Sequence, residues 1–275
     1  MRLKDKVAVV TGGGGGLGEG ISLCLARDGA HVVVSDVNLQ LAERVAGKIR
    51  GLGRRALAVR TDVRTGEECD RLVERAIEEM GKLDILVCCA GVSGMTHREH
   101  PPDEPVTIEA VTEEDWDLTL DVNLKGVFLC NRAVIPHFRE RNAGKIVNIS
   151  SVAGRRPNPL LFAYSISKAG VIALTQALAQ QLAQYNVNVN CVCPGIIYTP
   201  MWEAGAKLLA AKHPMLKDMG LSGEEALNLM VQTTIQFKRM QTPEDIGNAV
   251  AFLASDEAKE ITGQSINVCG GMAFS

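Results

Sequence analysis

Short apolar runs rich in Val and Ile alternate along this chain with longer segments whose apolar residues recur every three or four positions. The first run covers residues 7–10, and a second at residues 31–36 follows a segment of helical spacing at residues 19–30. Runs of this composition are typical of buried parallel strands, and the longer segments are typical of amphipathic helices. The alternation predicts an α/β protein with a parallel sheet.

The same pattern continues to the end of the chain without a linker. Further strands are predicted at residues 56–60, 83–89, 144–151, 187–192 and 264–268. Helices are predicted at residues 39–52, 66–80, 113–137, 162–184, 202–237 and 243–254. One domain over residues 1–275 accounts for this arrangement. The Met- and Leu-rich stretch at about 199–240 contains no strand and is interpreted as a helical substrate lid.

A glycine turn joins the first strand to the first helix. It satisfies two dinucleotide fingerprints, Gly13-x-Gly15-x-x-Gly18 and Thr11-Gly12-x-x-x-Gly16-Leu17-Gly18. Without a Cβ the backbone can approach a pyrophosphate, and the free N–H groups at the helix start attract its charge. Glycine-rich segments are more often flexible linkers. Its place between a Val-rich strand and an amphipathic helix favours a cofactor loop.

The second predicted strand ends in Asp36, about 20 residues after the glycines, where a ribose-binding carboxylate is expected. Asp36 can accept hydrogen bonds from both hydroxyls of an adenosine ribose, and it would repel a 2′-phosphate. Neither Val37 nor Asn38 offers a positive charge in compensation. The sequence therefore favours NAD over NADP.

The amino-acid composition of the chain limits the kinds of molecule that it is expected to bind. The chain has 275 residues, 46% of them hydrophobic, and a formal net charge of −3. This balance gives no reason to expect nucleic acid or a membrane surface, and no apolar run approaches the length of a membrane span. None of the eight cysteines shows zinc-ligand spacing, and His97 and His100 have no further ligands nearby. We expect reduced thiols, no metal and a cytoplasmic location.

Candidate chemistry lies on the helix at residues 162–184. Tyr164 and Lys168 stand four residues apart and so share one helix face. An ammonium group beside a phenol favours the phenolate, which suits a general acid or base. Ser151, at a strand end, offers a hydroxyl that can hold a substrate oxygen. Asn123 can hold a water or a backbone group, although a polar residue that kinks a buried helix is the simpler interpretation.

Together these residues resemble the short-chain dehydrogenase/reductase family over nearly the whole chain, from Lys6 to Gly271. The resemblance implies one doubly wound (Rossmann) domain with a parallel sheet of about seven strands and helices on both faces. It also implies a catalytic set and a cofactor-binding set. The catalytic set is Asn123, Ser151, Tyr164 and Lys168. The cofactor-binding set is Gly12, Gly15, Gly16, Leu17, Asp36, Val37, Asp62, Val63, Ala90, Gly91, Tyr164, Lys168, Pro194, Gly195, Ile197 and Thr199. One departure is Cys88-Cys89, where the family usually has two asparagines.

The mechanism that the resemblance implies is a hydride transfer between a secondary alcohol and NAD. In the oxidative direction Tyr164 takes the alcohol proton, while Lys168 binds the nicotinamide ribose. Ser151 orients the substrate oxygen, and Asn123 holds a water that relays the proton outward.

The substrate is a small molecule whose class stays open. Details such as Asn158-Pro159 and Pro200-Met201-Trp202 resemble the acetoin, butanediol and polyol dehydrogenases of the family. An apolar lid also suits a bulkier steroid-like or 3-oxoacyl ketone. A non-catalytic dinucleotide-binding regulator is the alternative from another class. Candidate substrate contacts are Ser151, Val152, Asn158, Tyr164 and Trp202. The resemblance further implies a homotetramer built on the helices of Asn123 and Tyr164.

Overall fold

Seven parallel strands form one sheet. A computed structural model describes residues 1–93, 107–197, 199, 205–207, 210–211, 216 and 218–274. The strands are β1 (Val7–Thr11), β2 (His31–Asp36), β3 (Ala56–Arg60), β4 (Ile85–Cys88), β5 (Gly144–Ile149), β6 (Val187–Pro194) and β7 (Ser265–Val268). They lie in the order β3-β2-β1-β4-β5-β6-β7, and every pairing is parallel. The predicted sheet is confirmed.

Eight α-helices of the described ranges accompany these strands. They are α1 (Gly16–Arg27), α2 (Leu39–Gly51), α3 (Gly66–Met80), α4 (Glu113–Leu120), α5 (Gly126–Arg141), α6 (Phe162–Leu182), α7 (Gly223–Thr234) and α8 (Pro243–Leu253). Side chains at several helix starts accept backbone N–H groups that would otherwise lack partners. Asn38 does so for α2, and Thr242 forms a capping box with Asp245 at the start of α8.

Helices cover both faces of the sheet, as the doubly wound fold requires. Successive side chains of a strand point to opposite faces. Ala8 and Val10 of β1 therefore join a buried cluster with α1, α2 and α8. Val7 and Val9 join a second cluster with α3, α5 and α6. Because the sheet is buried on both faces, the sequences of its strands are nearly continuous apolar runs.

Two helices differ from the sequence-based prediction. Helix α1 begins at Gly16 rather than at residue 19, so the last glycines of the turn form its first turn. The single helix predicted at residues 113–137 is α4 and α5 joined by one π turn at Asp121–Lys125, and it continues to Arg141. Of the predicted helix at residues 202–237, the structure describes α7 and short pieces before it. The lid itself stays a prediction.

The eight cysteines form no disulfide bond in the structure. All eight thiols are free, seven are buried and Cys89 is half-buried. The Sγ atoms of Cys69 and Cys130 lie 3.5 Å apart, where α3 packs against α5. Among the helices of the described ranges, none combines the length and the apolar character needed to cross a bilayer.

Candidate active site

A cleft of about 1170 Å³ lies along the carboxyl ends of the strands, on both sides of the switch point between β1 and β4, where the strand order reverses. In open parallel sheets this switch point is where ligands bind, because loops on its two sides turn in opposite directions. The glycine turn after β1, the turn after β4 and the start of α6 all contribute to the walls. The cleft therefore brings together residues from almost the whole length of the chain.

The glycine turn forms the floor at one end of the cleft. Gly12 and Gly16 have φ values of +63° and +50°, in the left-handed region that favours glycine. A Cβ at Gly12 would lie 2.7 Å from Ala90 Cα, whereas one at Gly15 would meet no atom within 4 Å. No side chain caps the start of α1, so its first N–H groups stay available at the cleft. This combination can bind a pyrophosphate.

Asp36 ties the end of β2 to the glycine turn. Its Oδ2 accepts the Gly14 N–H at 3.0 Å, and its Oδ1 accepts the Asn38 N–H at 2.9 Å. Arg44 of α2 holds the other side of the turn, donating to Gly14 O at 3.0 Å and to Glu19 at 2.7 Å. A carboxylate has about four acceptor positions, so Asp36 keeps capacity for hydroxyl donors in the cleft.

Asp62 lies at the same end of the cleft and is paired with Arg64. The guanidinium of Arg64 contacts both carboxylate oxygens, the shortest contact being 2.6 Å. These hydrogen bonds lower the pKa of Asp62 below its usual value, although partial burial opposes the shift. A ligand amine at this position must therefore share the carboxylate with Arg64, a partner that was not predicted from the sequence.

Thr11 holds the backbone of the turn after β4, next to the Cys88-Cys89 pair. The Thr11 hydroxyl accepts the N–H groups of Cys89 at 3.1 Å and Ala90 at 3.3 Å. Burial raises the pKa of the Cys89 thiol to about 12, so Cys89 stays a neutral thiol at physiological pH. Cys88 accepts an amide N–H from Asn131 at 3.4 Å. The backbone placement of Ala90 thus rests on Thr11 rather than on an asparagine at residues 88–89.

Tyr164 and Lys168 line the middle of the cleft from the first two turns of α6. The Lys168 ammonium lies 5.6 Å from the centroid of the Tyr164 ring. Lys168 is 4% exposed and donates to the carbonyl of Ile149 at 3.0 Å. Because that carbonyl ends β5, the ammonium group is held at the edge of the sheet beside the phenol.

Ser151 is the second residue after β5 and lines the same cleft as Tyr164. Its Oγ accepts the Ala153 N–H at 3.1 Å and so starts a short 3₁₀ turn. The hydroxyl proton remains available to donate, which suits the orientation of a substrate oxygen. The hydroxyl of the neighbouring Ser150 donates to the carbonyl of Lys168 at 2.7 Å.

Asn123 lies behind the cleft wall rather than along it. It is fully buried, its Oδ1 accepts the Val92 N–H and its Nδ2 donates to Val92 O, both at 2.8 Å. The π turn at Asp121–Lys125 contains Asn123. A Cβ at Gly91 would lie 3.2 Å from Asn123 Oδ1 and 3.5 Å from Lys168 Nζ. The amide therefore fixes the backbone after β4 next to the lysine.

The other residues predicted to bind cofactor or substrate lie along the same cleft, with one exception. The residues found there are Gly12, Gly15, Gly16, Leu17, Asp36, Val37, Asp62, Val63, Ala90, Gly91, Val152, Asn158, Pro194, Gly195, Ile197 and Thr199. Trp202 falls outside the described residues. Arg156 and residues 271–274 also line the far end of the cleft, and neither was predicted there from the sequence. These two segments are far apart in the sequence, and they meet at the cleft only in the folded chain.

A doubly wound parallel sheet with a glycine turn, a strand-end acid and a tyrosine–lysine pair at its switch point defines the class of Rossmann-type oxidoreductases. The family model described as short chain dehydrogenase matches residues 6–207. The chain belongs to the short-chain dehydrogenase/reductase family, as its motifs predicted.

Individual relatives match over their whole length. The (2S)-[(R)-hydroxy(phenyl)methyl]succinyl-CoA dehydrogenase subunit BbsD of Thauera aromatica is 35% identical, covering 100% of this chain and 99% of the relative. The 3-oxoacyl-[acyl-carrier-protein] reductase FabG of Thermotoga maritima is 34% identical, with 100% of each chain covered. The structure of NAD+-bound xylitol dehydrogenase superposes with a TM-score of 0.89 at 29% identity, covering 98% of this chain and 100% of the other.

Proposed function

We propose that this protein is an NAD-dependent oxidoreductase that transfers a hydride between a secondary alcohol and nicotinamide, with Tyr164 as general acid/base. Vicinal diols, acetoin and polyols are the first candidate substrates. The observation that carries the proposal is the shared cleft. Tyr164, Lys168 and Ser151 line the same cavity as the glycine turn and Asp36.

The residues at one end of the cleft fit a dinucleotide. The open space at Gly15 and the uncapped start of α1 suit a pyrophosphate, and the remaining acceptor capacity of Asp36 suits a ribose diol. Asp62, Val63 and Arg64 form the wall next to them. A bound nicotinamide would accept or supply the hydride. The protein contributes binding, orientation and proton transfer.

The side chains in the middle of the cleft divide the proton chemistry between them. In the oxidative direction the Tyr164 phenolate accepts the proton of the substrate hydroxyl. The nearby Lys168 ammonium favours the phenolate form. Ser151 donates a hydrogen bond to the substrate oxygen and fixes its position. Asn123 acts through the backbone of Val92, which it holds next to this group.

Asp36 supports the choice of NAD over NADP. Its carboxylate faces the cleft at the end of β2, where a 2′-phosphate would meet a like charge. The nearest basic side chains on α2, Arg44 and Lys48, are both paired with Glu19, at 2.7 and 2.6 Å. They therefore offer little compensation for a phosphate.

The substrate end of the cleft supports two classes of substrate. Asn158, next to the start of α6, offers an amide for a second hydroxyl, and the xylitol dehydrogenase named above acts on a polyol. Val152, Leu161, Met230 and Met272 make the same region largely apolar. That lining favours the second candidate function, reduction of a bulkier ketone such as a 3-oxoacyl thioester, and the FabG relative is a 3-oxoacyl reductase by name.

An assay of NAD+ reduction with a panel of diols, polyols and larger secondary alcohols tests this proposal. We expect turnover with at least one class and a strong preference for NAD+ over NADP+. Tyr164→Phe should lower kcat by about 100-fold or more while the protein still binds NAD+. A protein that binds NAD+ tightly but oxidises none of these alcohols, and reduces none of the matching ketones, would support a non-catalytic regulator instead.

We also propose a homotetramer located in the cytoplasm. Phe128 of α5 and Ile166 of α6 are large apolar side chains that are 45% and 40% exposed in the single chain. Their exposure on these two helices supports contacts between subunits. Eight free thiols without a disulfide suit a reducing compartment.

A further inference from the structure

Arg156 stands at the far end of the cleft, beyond Tyr164 and Ser151. It follows the short 3₁₀ turn that Ser151 starts, and its backbone N–H donates to Val152 O at 2.9 Å. Its side chain is exposed and lines the cleft, where Nη1 donates to the carbonyl of Met272 at 3.1 Å. The guanidinium is thus held between the substrate turn and the C-terminal segment.

The side chain of the neighbouring Arg155 points in a different direction. Its guanidinium donates to the carbonyl of Ser265 at the start of β7. That contact turns Arg155 toward the sheet, whereas Arg156 turns toward the cleft. Two adjacent residues of the same type therefore have separate roles, and only Arg156 meets a molecule that enters the cleft.

The other charged side chains that line the described part of the cleft are already engaged. Arg64 pairs with Asp62, and the Lys168 ammonium is nearly buried and bonded to Ile149 O. Arg156, in contrast, has no carboxylate within ion-pair distance among the described residues. A guanidinium has five N–H donors, so most of those of Arg156 stay available.

The cleft that Arg156 lines is largely apolar. Val152, Leu161 and Met272 also line it, and Thr233 and Thr234 of α7 add neutral hydroxyl groups. Solvent screens the exposed guanidinium in the empty cleft. A substrate that fills the cleft displaces this water, so its anionic group then interacts with Arg156 more strongly than in open water. The planar fork of the guanidinium also matches a carboxylate in two parallel hydrogen bonds.

We propose that Arg156 is a specificity-determining residue that binds an anionic group of the substrate, a carboxylate in the first instance, at a distance from the reacting carbon. This inference rests on the proposed function and narrows its substrate class to alcohols and ketones that carry a remote negative charge. Arg156 takes no part in proton or hydride transfer. It selects and orients the substrate.

A homologous series of methyl ketones tests the inference. The probes are 4-oxopentanoate, 5-oxohexanoate, 6-oxoheptanoate and 7-oxooctanoate, each compared with its methyl ester, and the readout is NADH oxidation. We expect the best keto acid to exceed its ester in kcat/KM by about 10- to 100-fold, the range of a hydrogen bond to a charged group. Arg156→Gln should remove this advantage mainly through KM and leave the esters within about twofold.

Two further variants are controls. Arg156→Lys keeps the charge without the fork and should retain part of the preference for the acid. Arg71→Gln removes the same charge from an exposed site on α3. It should leave kcat/KM unchanged for both the keto acid and its ester. Loss of acid and ester turnover to the same degree in Arg156→Gln would overturn the inference, as would a wild-type protein without preference for the acids.

A binding measurement separates this inference from the proposed function. The keto acids are titrated calorimetrically into the protein in the presence of NAD+, with the wild type and Arg156→Gln compared. Absence of turnover with every probe and with every alcohol of the panel above, together with carboxylate binding that Arg156→Gln abolishes, would contradict the proposed function and retain the anion site. Equal binding by both proteins would overturn the anion site whatever the activity.

Discussion

The ammonium group of Lys168 lies 5.6 Å from the centre of the Tyr164 ring, and a hydrogen bond to Ile149 O holds it there. The two residues therefore do not have interchangeable roles. Tyr164 offers a phenol to the cleft, whereas Lys168 also links α6 to the end of β5. Substitutions of the two residues should therefore differ in their effects on NAD+ binding and on stability.

Lys168→Met should impair more than the chemical step. We expect kcat to fall by about 100-fold or more, the contribution of a positioned acid/base group, together with weaker NAD+ binding and a less stable fold, because Ile149 O loses its partner. Tyr164→Phe should lower kcat to a similar degree with NAD+ affinity and stability unchanged. Steady-state kinetics, NAD+ titration and urea unfolding check the contrast. Unchanged NAD+ affinity in Lys168→Met would contradict its proposed contact with the cofactor.

Asp36→Ser should shift the cofactor preference. Removal of the carboxylate eliminates the like charge that a 2′-phosphate would meet and one partner of the ribose hydroxyls. We expect the ratio of kcat/KM for NADP+ over NAD+ to rise by about tenfold or more, equivalent to about 1.4 kcal/mol. Asp36→Asn keeps an acceptor for a backbone N–H and serves as a control for the structure of the glycine turn. A ratio that stays constant in both variants would show that Asp36 does not determine the preference.

Gly15→Ala and Gly20→Ala should impair two different properties, NAD+ binding and stability respectively. A Cβ at Gly20 would lie 2.3 Å from Pro243 Cβ, where α1 packs on α8, whereas one at Gly15 would meet nothing. We expect Gly20→Ala to lower the free energy of unfolding by about 1–3 kcal/mol. Gly15→Ala should leave stability nearly unchanged and weaken NAD+ binding, because the new methyl group occupies the space assigned to the pyrophosphate. Thermal unfolding and NAD+ titration of both variants provide the test.

Asn123→Ala should destabilise the turn after β4. The substitution leaves the Val92 N–H and C=O without their partners, and two unsatisfied groups cost about 2–4 kcal/mol together. We expect lower activity as well, because Gly91 and Lys168 lie next to this turn. Urea unfolding and hydrogen exchange at the Val92 amide measure the effect. Full protection of that amide in the variant would contradict the role of Asn123.

Asp84 should make the fold sensitive to acid. Burial by itself raises its pKa, but the Val7 N–H, Arg141 and Lys82 outweigh burial, and the pKa lies below its usual value. A carboxyl group with a lowered pKa stabilises the fold above about pH 4, and this contribution disappears as the pH falls through the folded-state pKa.

The matching variant is Asp84→Asn. We expect its free energy of unfolding at pH 7 to be about 1–3 kcal/mol below that of the wild type, and the difference should shrink as the pH falls below about 4. Asp70→Asn, at an exposed position of α3, is the control and should leave the profile unchanged. Urea unfolding at several pH values gives the comparison, and a gap that widens in acid would contradict this account of Asp84.

The strands and most helices were predictable because their apolar spacing is a local property of the sequence. The π turn at Asp121–Lys125 was not, since it is coupled to the hydrogen bonds between Asn123 and Val92, residues that lie 31 positions apart. The different orientations of Arg155 and Arg156 at the site could not be predicted from the sequence either. Nothing in the local sequence distinguishes them, and only contacts with Ser265 and Met272 decide which one reaches the cleft.

The π turn inserts one extra residue into a rod that otherwise winds regularly from Glu113 to Arg141. One residue corresponds to about 100° around a helix axis. The stripe that faces the cleft through Leu118 and the stripe that faces α3 through Leu129 are therefore out of phase. A deletion of any single residue there would restore uniform winding and rotate one half of the rod against the other. Apart from Asn123, we therefore expect this short segment to tolerate substitutions better than a change of length.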